Sequence, residues 1–404
     1  MDLETRFSGK EMINGGIMSN SFDNQSFLKI NQEYNNNLDI EGFSLMMKDP
    51  SYCYKFYWLE AIVQLISQDV KSTTFNDIID EMICNAWYTV LEFHVHLSGM
   101  MEGEVRDGLE RAVLLLAQLS DLPANASKVE IKNEIRKYDN ELKVYKDQLT
   151  KNVPYRALAG FFDNANAIIN WNRINALIAY AEALNTSRPL PYTLGHASGL
   201  KREVFFNENW IRLINDNAVS ILGWIQFEKV RWLQSNNPEV PSLVYKLAPM
   251  DEKMRKLKYV RELWEAILHE KQIIDVFKNE PIKQGKYDID HFIPWSFVMN
   301  DELWNLMPMD SSLNSSKNNR LPKWDDYFPS FARNQFILYG MIHDVSRPVI
   351  RQRYEKCFKD NLHSIWANQE LYRKGNTEVE FYNILQKNMQ PVYDSARRQG
   401  YQVW

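Results

Sequence analysis

The sequence predicts a mainly α-helical protein that carries one small α+β unit toward its C-terminus. Apolar residues recur at spacings of three and four through most of the chain. The alternating pattern that is typical of strands is almost absent before residue 285. Two short strand-like segments then follow, beginning near Tyr287. We therefore expect a helical bundle-like protein with a short α+β insertion.

Composition limits the class of protein and the partners it can bind. The chain has 404 residues, 45% of them hydrophobic, and no window approaches the ~18 apolar residues of a membrane span, so we expect no membrane association. Its three cysteines lie far apart, which argues against disulfides and cysteine-based zinc sites and predicts a reduced, cytoplasmic protein. The net charge is −5, but residues 251–404 carry 23 Lys+Arg against 21 Asp+Glu, giving +2. A site for a polyanion must therefore be a local patch, and it is expected in that part of the chain.

The elements before residue 281 follow from apolar spacing and from capping residues. Residues 1–40 are polar and lack periodicity, which predicts a mobile leader. Residues 41–280 are predicted to form a helical region that senses, binds a partner or binds DNA. A helix begins at Tyr54, and Thr74 with Asp77 three residues later is typical of a capping box that starts the next helix.

Two further helices complete the predicted N-terminal region. One is expected from Arg106 to Leu119, and a charged amphipathic helix follows from Ser127 to Leu149. The narrow apolar stripe of the second helix could pack on the chain's own bundle or pair with a second copy of itself. The sequence leaves both alternatives open, and the second predicts a homodimer.

The pattern changes at Tyr287, and the segment from there to Pro322 predicts a strand, a return strand and a helix. Asp288 and Asp290 would face one side of the first strand, with His291 at its end. Residues 303–308 would form the return strand and residues 311–319 the helix. We place this unit at residues 281–330 and expect the C-terminal helices, residues 331–404, to pack on it.

The polar residues of this unit suit the hydrolysis of a phosphodiester. That reaction needs an activated water, neutralisation of charge on the phosphate and stabilisation of the departing oxygen. An imidazole such as that of His291 suits the first task. Asp290 and Asn314 offer one carboxylate and one amide oxygen, which favours Mg²⁺ or Mn²⁺ over zinc. Lys317 lies three residues after Asn314 and so on the same helix face.

The segment resembles the HNH (ββα-metal) endonucleases, most closely the branch without zinc-binding cysteines that includes the HNH domain of RNA-guided CRISPR nucleases. The resemblance rests on a D-x-D-H motif that ends at His291, a P-x-S-F motif after it, and three spaced polar residues. Asn305 lies fourteen residues after the histidine, Asn314 nine further on, and Lys317 three beyond that. Asn314 stands where the family name has a histidine. The cysteine pairs of many HNH domains are missing, so the surrounding helices must brace the fold.

The resemblance implies a role for each motif residue. His291 would be the general base that activates water, and Asp290 and Asn314 would be the metal ligands. Asn305 would tie the loop together and help to orient the histidine. Lys317 would contact the phosphate or the transition state. The remaining acidic residue of the motif, Asp288, would be an auxiliary acid.

Basic residues flank the unit on both sides, and they are either solvated helix faces or phosphate contacts. Beside a nuclease site they become candidates for nucleic-acid binding. They are Lys253, Arg255, Lys256, Lys258, Arg261, Arg320, Arg347, Arg351, Arg353 and Lys356.

Taken together, these observations predict a divalent-metal-dependent endonuclease that cleaves DNA. The whole-chain layout resembles stand-alone bacterial HNH proteins associated with restriction and anti-phage defence, which implies a partner protein from a defence operon. Two alternatives stay open. The protein could be an RNase, because the catalytic residues do not select the sugar, or a degenerate subunit that binds nucleic acid or acts as a scaffold without cutting.

Overall fold

The computed structural model of the protein describes residues 38–47, 50, 52–98, 107–162, 173–247 and 255–404. The predicted polar leader, residues 1–40, lies almost entirely outside this part of the chain. Within it, helices dominate and the sheets are small. The predicted fold class, mainly α-helical with a small α+β unit, is confirmed.

Helices of the N-terminal part surround one hydrophobic core that runs from Leu38 to Leu243. They are α1 (Ile40–Ser44), α2 (Tyr54–Ile66), α3 (Phe75–Phe93), α4 (Gly108–Leu119), α5 (Lys128–Lys137), α6 (Asp139–Leu149), α7 (Val153–Arg156), α8 (Ile174–Asn185), α9 (Glu208–Asp216) and α10 (Ala218–Asn236).

Capping side chains fix where these helices begin. Helix α2 starts at Tyr54, as predicted. Thr74 caps α3: its hydroxyl oxygen accepts from the backbone N–H of Asp77, and the Asp77 carboxylate accepts from the backbone N–H of Thr74. The predicted capping box is therefore confirmed. Helix α4 starts at Gly108 because Asp107 accepts from the first backbone N–H groups of that helix.

The charged segment from Ser127 to Leu149 forms two helices rather than the single one predicted. Helices α5 and α6 meet at Tyr138, whose backbone (φ −109°, ψ 26°) is not helical. The stripe residues Ile131 and Leu142 are buried in the N-terminal core. The stripe thus packs on the chain's own bundle, and it is not available as the seam of a homodimer.

A three-stranded antiparallel sheet lies within the N-terminal part, in the order β1-β3-β2. Its strands are β1 (Ser72–Thr74), β2 (Tyr192–Leu194) and β3 (Glu203–Phe206). The expectation of almost no strand pattern before residue 285 missed this sheet. Strands of three or four residues are too short to show a recognisable period of two.

A second hydrophobic core runs from Val260 to Tyr401. Its helices are α11 (Lys258–Glu270), α12 (Trp295–Val298), α13 (Ser311–Lys317), α14 (Trp324–His343), α15 (Pro348–Asn361) and α16 (Glu378–Arg398). The two cores therefore divide the chain between Leu243 and Val260, earlier than the change of pattern near residue 280. Helix α11 packs with the C-terminal helices because its apolar face, which includes Trp264, is buried in the second core.

The α+β unit is a two-stranded antiparallel sheet followed by a short helix. Strand β4 (Tyr287–His291) pairs with β5 (Leu306–Asp310), with Asp290 opposite Met307 and His291 opposite Leu306. Helix α13 follows β5 directly, and the Asp310 side chain caps it by accepting from the backbone N–H of Ser312. The predicted order of strand, strand and helix is what the structure shows.

Polar side chains join the two cores beside this unit. The buried Lys246 donates to the carbonyl oxygen of Phe297 in α12 (2.6 Å). Gln399 donates to the carbonyl oxygen of His94 (2.5 Å), at the end of α3. The N-terminal helices thus contact the α+β unit directly. No helix among the described residues has the length and apolar content that a membrane crossing requires.

Candidate active site

Strand β4 brings the acidic and imidazole groups of the motif to one end of the small sheet. Asp288 and Asp290 are partly exposed, whereas Tyr287, Ile289 and His291 alternate with them and are buried. This is the period of two expected of a strand with one covered face. The pairing of β4 with β5 therefore fixes the direction in which each side chain of the motif leaves the backbone.

His291 is held by the turn that follows α12. Its Nε2 atom lies 3.1 Å from the carbonyl oxygen of Asn300 and 3.0 Å from Oδ1 of Asp301. Both neighbours are acceptors, so Nε2 must carry the proton, and Nδ1 is then the basic nitrogen. Burial lowers the pKa of His291 below its ordinary value, although Asp301 opposes this shift. The imidazole is therefore neutral near pH 7, with a lone pair on Nδ1.

Asp301 is the centre of a small charged cluster behind His291. Its carboxylate accepts from Nε2 of His291, from Nε of Arg255 (3.1 Å) and from the backbone N–H of Lys256 (2.6 Å). Burial alone would raise the pKa of Asp301, but the hydrogen bond from His291 and the nearby positive charges hold it below its ordinary value. Asp301 is therefore ionised and fixed in place, and it orients the histidine.

Asn305 closes the loop between β4 and β5. Its Nδ2 donates to the carbonyl oxygen of Ile293 (2.8 Å), and its Oδ1 accepts from the backbone N–H of Ile293 (2.8 Å). The side chain is fully buried, so these two bonds satisfy groups that water cannot reach. The structure thus places Asn305 where it ties the loop, and Asn305 is not among the residues that line the cleft described below.

Lys317 lies at the end of α13 with its side chain buried. Its Nζ donates to the carbonyl oxygen of His291 (2.8 Å) and lies 2.8 Å from Oδ2 of Asp290. Both partners belong to the end of β4. The ammonium group therefore fixes the strand to the helix, which differs from the phosphate contact that the sequence analysis expected.

An open cleft of about 570 Å³ unites the motif residues. Strand β4 contributes Asp288, Asp290 and His291 to its lining, and α13 contributes Asn314 and Lys317. Five of the six motif residues thus line one cavity. The sixth, Asn305, is buried behind it.

Of the basic residues that precede the unit, only some border this cleft. Arg255 lines it, and its guanidinium also stacks on the ring of Trp295 (4.6 Å). Lys256 and Lys258 are exposed at the start of α11 and do not line the cleft. Lys253 lies outside the described residues.

The basic residues that follow the unit form ion pairs with carboxylates. Arg347 pairs with Glu270 and Arg353 with Glu262, so both tie α15 to α11. Arg351 lies 3.8 Å from Glu355 on its own helix. None of these arginines lines the cleft, which is at odds with a phosphate track on this side. Helix packing explains the difference, because α15 turns its basic residues toward the acidic residues of α11.

Arg320, the basic residue at the end of the unit, is exposed. Its guanidinium donates to the carbonyl oxygen of Ser316 in the last turn of α13. It does not line the cleft. A role in nucleic-acid binding at this position stays a prediction.

The oxygen donors of the cleft fit a hard divalent cation that keeps several of its waters. Asp290 Oδ2 is buried and has no hydrogen-bond donor among the described residues, although Lys317 Nζ is within ion-pair distance. Asn314, whose side chain has an amide oxygen, lines the same cleft. Within the described ranges, no three His, Cys, Asp or Glu side chains lie close enough to hold a metal. A cation here would therefore have few protein ligands. Mg²⁺ typically binds proteins in this way, through one or two carboxylates, and keeps several of its waters.

Two residues at the site escaped the sequence analysis. Asp301 lies ten residues after the histidine, and no local pattern marks it. Glu92 of α3 reaches the cleft from the N-terminal core, and only the tertiary fold reveals it because it is distant in sequence. Arg261 of α11, one of the basic residues before the unit, also lines the cleft and lies 3.7 Å from Asp288.

Comparison with known proteins identifies the α+β unit. Residues 275–323 match the family model described as HNH endonuclease. No curated protein and no solved structure gives a significant match to the chain. The matched residues include both strands, α13 and the cleft residues from Asp288 to Asn319. The chain therefore contains a domain of the HNH endonuclease family.

Proposed function

We propose that the protein is a divalent-metal-dependent endonuclease that hydrolyses DNA phosphodiesters and leaves 5′-phosphate and 3′-hydroxyl ends. The observation that carries this proposal is the geometry of His291. Its Nε2 faces two acceptors, and the residue borders the cleft that also contains Asp290 and Asn314. A neutral imidazole with an unprotonated Nδ1 is the form that a general base requires.

His291 would take a proton from water at Nδ1. The imidazolium formed in this step would be stabilised by the ionised Asp301 and by the carbonyl oxygen of Asn300, both of which already face Nε2. This arrangement is similar in principle to a carboxylate that orients a catalytic histidine and stabilises its charged form. Asp301 is thus proposed as a positioning residue.

Asp290 and Asn314 would hold the metal ion. Bound there, Mg²⁺ or Mn²⁺ would neutralise charge on the phosphate and stabilise the departing oxygen. Lys317 and Asn305 support these groups from behind, since one fixes the end of β4 and the other closes the loop after it. Asp288, with Arg261 as its neighbour, is proposed as an auxiliary acid.

The test is a cleavage assay on three substrates with Mg²⁺ and with EDTA. Plasmid DNA, single-stranded DNA and RNA are incubated with the wild type, with His291→Ala, and with His363→Ala as the matched control. His363 is exposed and lies outside the cleft. We expect Mg²⁺-dependent cleavage of DNA that His291→Ala reduces by about 10²–10⁴-fold and that His363→Ala leaves unchanged. Cleavage of RNA alone would replace DNA by RNA as the substrate, and binding without cleavage would overturn the proposal.

A role in restriction or anti-phage defence is proposed on separate grounds. The HNH domain occupies about fifty residues, whereas the helices before it form a core of their own. A nuclease site does not need these N-terminal helices, so a sensing or partner-binding role fits this region. Plaque counts on cells that express the wild type or His291→Ala test it: protection that requires His291 supports defence, and equal plaque counts contradict it.

A further inference from the structure

One carboxylate of the cleft comes from the N-terminal core. Glu92, near the end of α3, lines the cavity, and its Oε1 accepts from Nδ2 of Asn319 (2.8 Å). Among the described lining residues it is the one contributed by the N-terminal core. The HNH domain alone would lack this charge.

The position of Glu92 is fixed by the contact between the two cores. The next residue, Phe93, is buried, and the ammonium group of Lys246 lies between its ring (5.6 Å) and that of Phe297 (5.0 Å). Lys246 also donates to the carbonyl oxygen of Phe297. The end of α3 is thus held against α12. Helix α12 begins only a few residues after His291 in the chain.

Among the residues that the structure describes, the cleft lining carries no surplus of positive charge. Its three described cationic side chains each lie near a carboxylate: Arg255 near Asp301 (3.1 Å), Lys317 near Asp290 (2.8 Å) and Arg261 near Asp288 (3.7 Å).

The acidic residues of the lining balance these cations. They are Glu92, Asp288 and Asp290, so the formal charge of the lining is zero. Glu92 differs from the other two because its hydrogen-bond partner is a neutral amide, and no cation lies within ion-pair distance of it among the described residues. A polyanion that enters the cleft therefore meets a carboxylate that no described cation neutralises.

We propose, on the basis of the nuclease function proposed above, that Glu92 makes nucleic-acid binding in the cleft conditional on the divalent metal ion. Without the metal, phosphates gain no net Coulomb attraction from the lining and are repelled by Glu92. A bound divalent cation changes the formal charge of the site from zero to +2 and outweighs this repulsion. Glu92 thereby disfavours unproductive complexes that lack the metal.

The expected size of the effect follows from Coulomb's law. We take the Glu92 carboxylate and a phosphate to lie about 8 Å apart, at an effective dielectric constant of about 40, which is between the values for a protein surface and for bulk water. Their repulsion then raises the dissociation constant by roughly fivefold. Removal of the Glu92 charge should therefore tighten metal-free binding by about 3–10-fold. Coulomb energies of fixed charges add, so Glu92 repels the phosphates both with and without the metal; only the metal-free site lacks the attraction that outweighs this repulsion.

The experiment measures dissociation constants in a background that cannot cleave. His291→Ala protein is titrated with a fluorescent DNA duplex in EDTA and in Mg²⁺, with and without Glu92→Gln. The glutamine keeps an oxygen that can accept from Asn319. Glu141→Gln is the matched control, because Glu141 is exposed on α6 and does not line the cleft. We expect Glu92→Gln to lower the dissociation constant measured in EDTA by about 3–10-fold, and Glu141→Gln to leave it unchanged.

Each other outcome has a separate meaning. An unchanged dissociation constant in EDTA for Glu92→Gln, while the parent binds DNA in Mg²⁺, overturns the proposal and leaves the nuclease function standing. Weaker binding of Glu92→Gln in Mg²⁺ also overturns it, since Glu92 would then be helping to hold the metal. No binding of DNA by any variant would refute the proposed function itself, and the role of Glu92 would fall with it.

Discussion

Replacement of Asp301 by asparagine tests whether the carboxylate behind His291 supports catalysis. In Asp301→Asn the negative charge beside Nε2 is lost, while the carbonyl oxygen of Asn300 still accepts from that nitrogen. A hydrogen bond to a charged group contributes about 1.5–3 kcal/mol, which corresponds to about 10–150-fold in rate. We expect kcat to fall within this range, and the loss should stay below that of His291→Ala.

The pH profile separates this role from a merely structural one. Asp301 raises the pKa of His291 against the lowering effect of burial, so its removal must lower that pKa further. The base acts when deprotonated, and the acid limb of kcat/KM should therefore move to lower pH in Asp301→Asn. Asp275→Asn is the matched control, because Asp275 is a buried carboxylate that accepts from backbone N–H groups away from His291. An acid limb that stays in place, or that moves equally in the control, would refute the reasoning.

Three further predictions concern the supports of the site and its metal. Lys317→Met should lower the free energy of unfolding by about 3 kcal/mol in urea titrations, because it leaves Asp290 without its buried partner; Lys323→Met, at an exposed position, should change it by less than about 0.5 kcal/mol. Asn305→Ala should also destabilise the protein, by about 1–3 kcal/mol for each backbone group left unpaired, and equal denaturation midpoints would contradict this. Zn²⁺ should not replace Mg²⁺ or Mn²⁺ in cleavage assays, since Asp290 and Asn314 offer oxygen rather than nitrogen or sulfur ligands; full activity with Zn²⁺ after EDTA treatment and dialysis would show that the donor set is wrongly assigned.

The α+β unit could be read from the sequence because its signals are local. The acidic residues of β4 alternate with buried ones, and Asp310 begins the helix that follows β5. A period of two and a cap depend on neighbours in the chain, so no tertiary information is needed. The capping box at Thr74 was predictable for the same reason.

The parts that escaped prediction depend on distant contacts. Basic residues such as Arg347 and Arg353 look free in the sequence, but α15 packs on α11 and both find carboxylate partners there. The break at Tyr138 is not marked by glycine or proline, and it lets both α5 and α6 follow the N-terminal core. The charge and amphipathic patterns thus identified correctly which helix faces are polar and which are apolar. They did not predict what each face contacts.

The HNH domain of this chain is braced by buried polar side chains and by neighbouring helices instead of a cysteine-bound zinc. All three cysteines are buried, and none lies between the strands and α13. Asn305 closes the loop, Lys317 joins α13 to β4, and the buried Gln335 of α14 donates to the carbonyl oxygen of Leu306 at the start of β5 (2.7 Å). Each bond ends on a backbone group of the motif, so each one fixes the path of the chain that carries the site. Two residues that the family pattern marks as functional, Asn305 and Lys317, therefore bond to the backbone, and in the proposed mechanism the groups that would act on a substrate are His291 and the oxygen donors of the cleft.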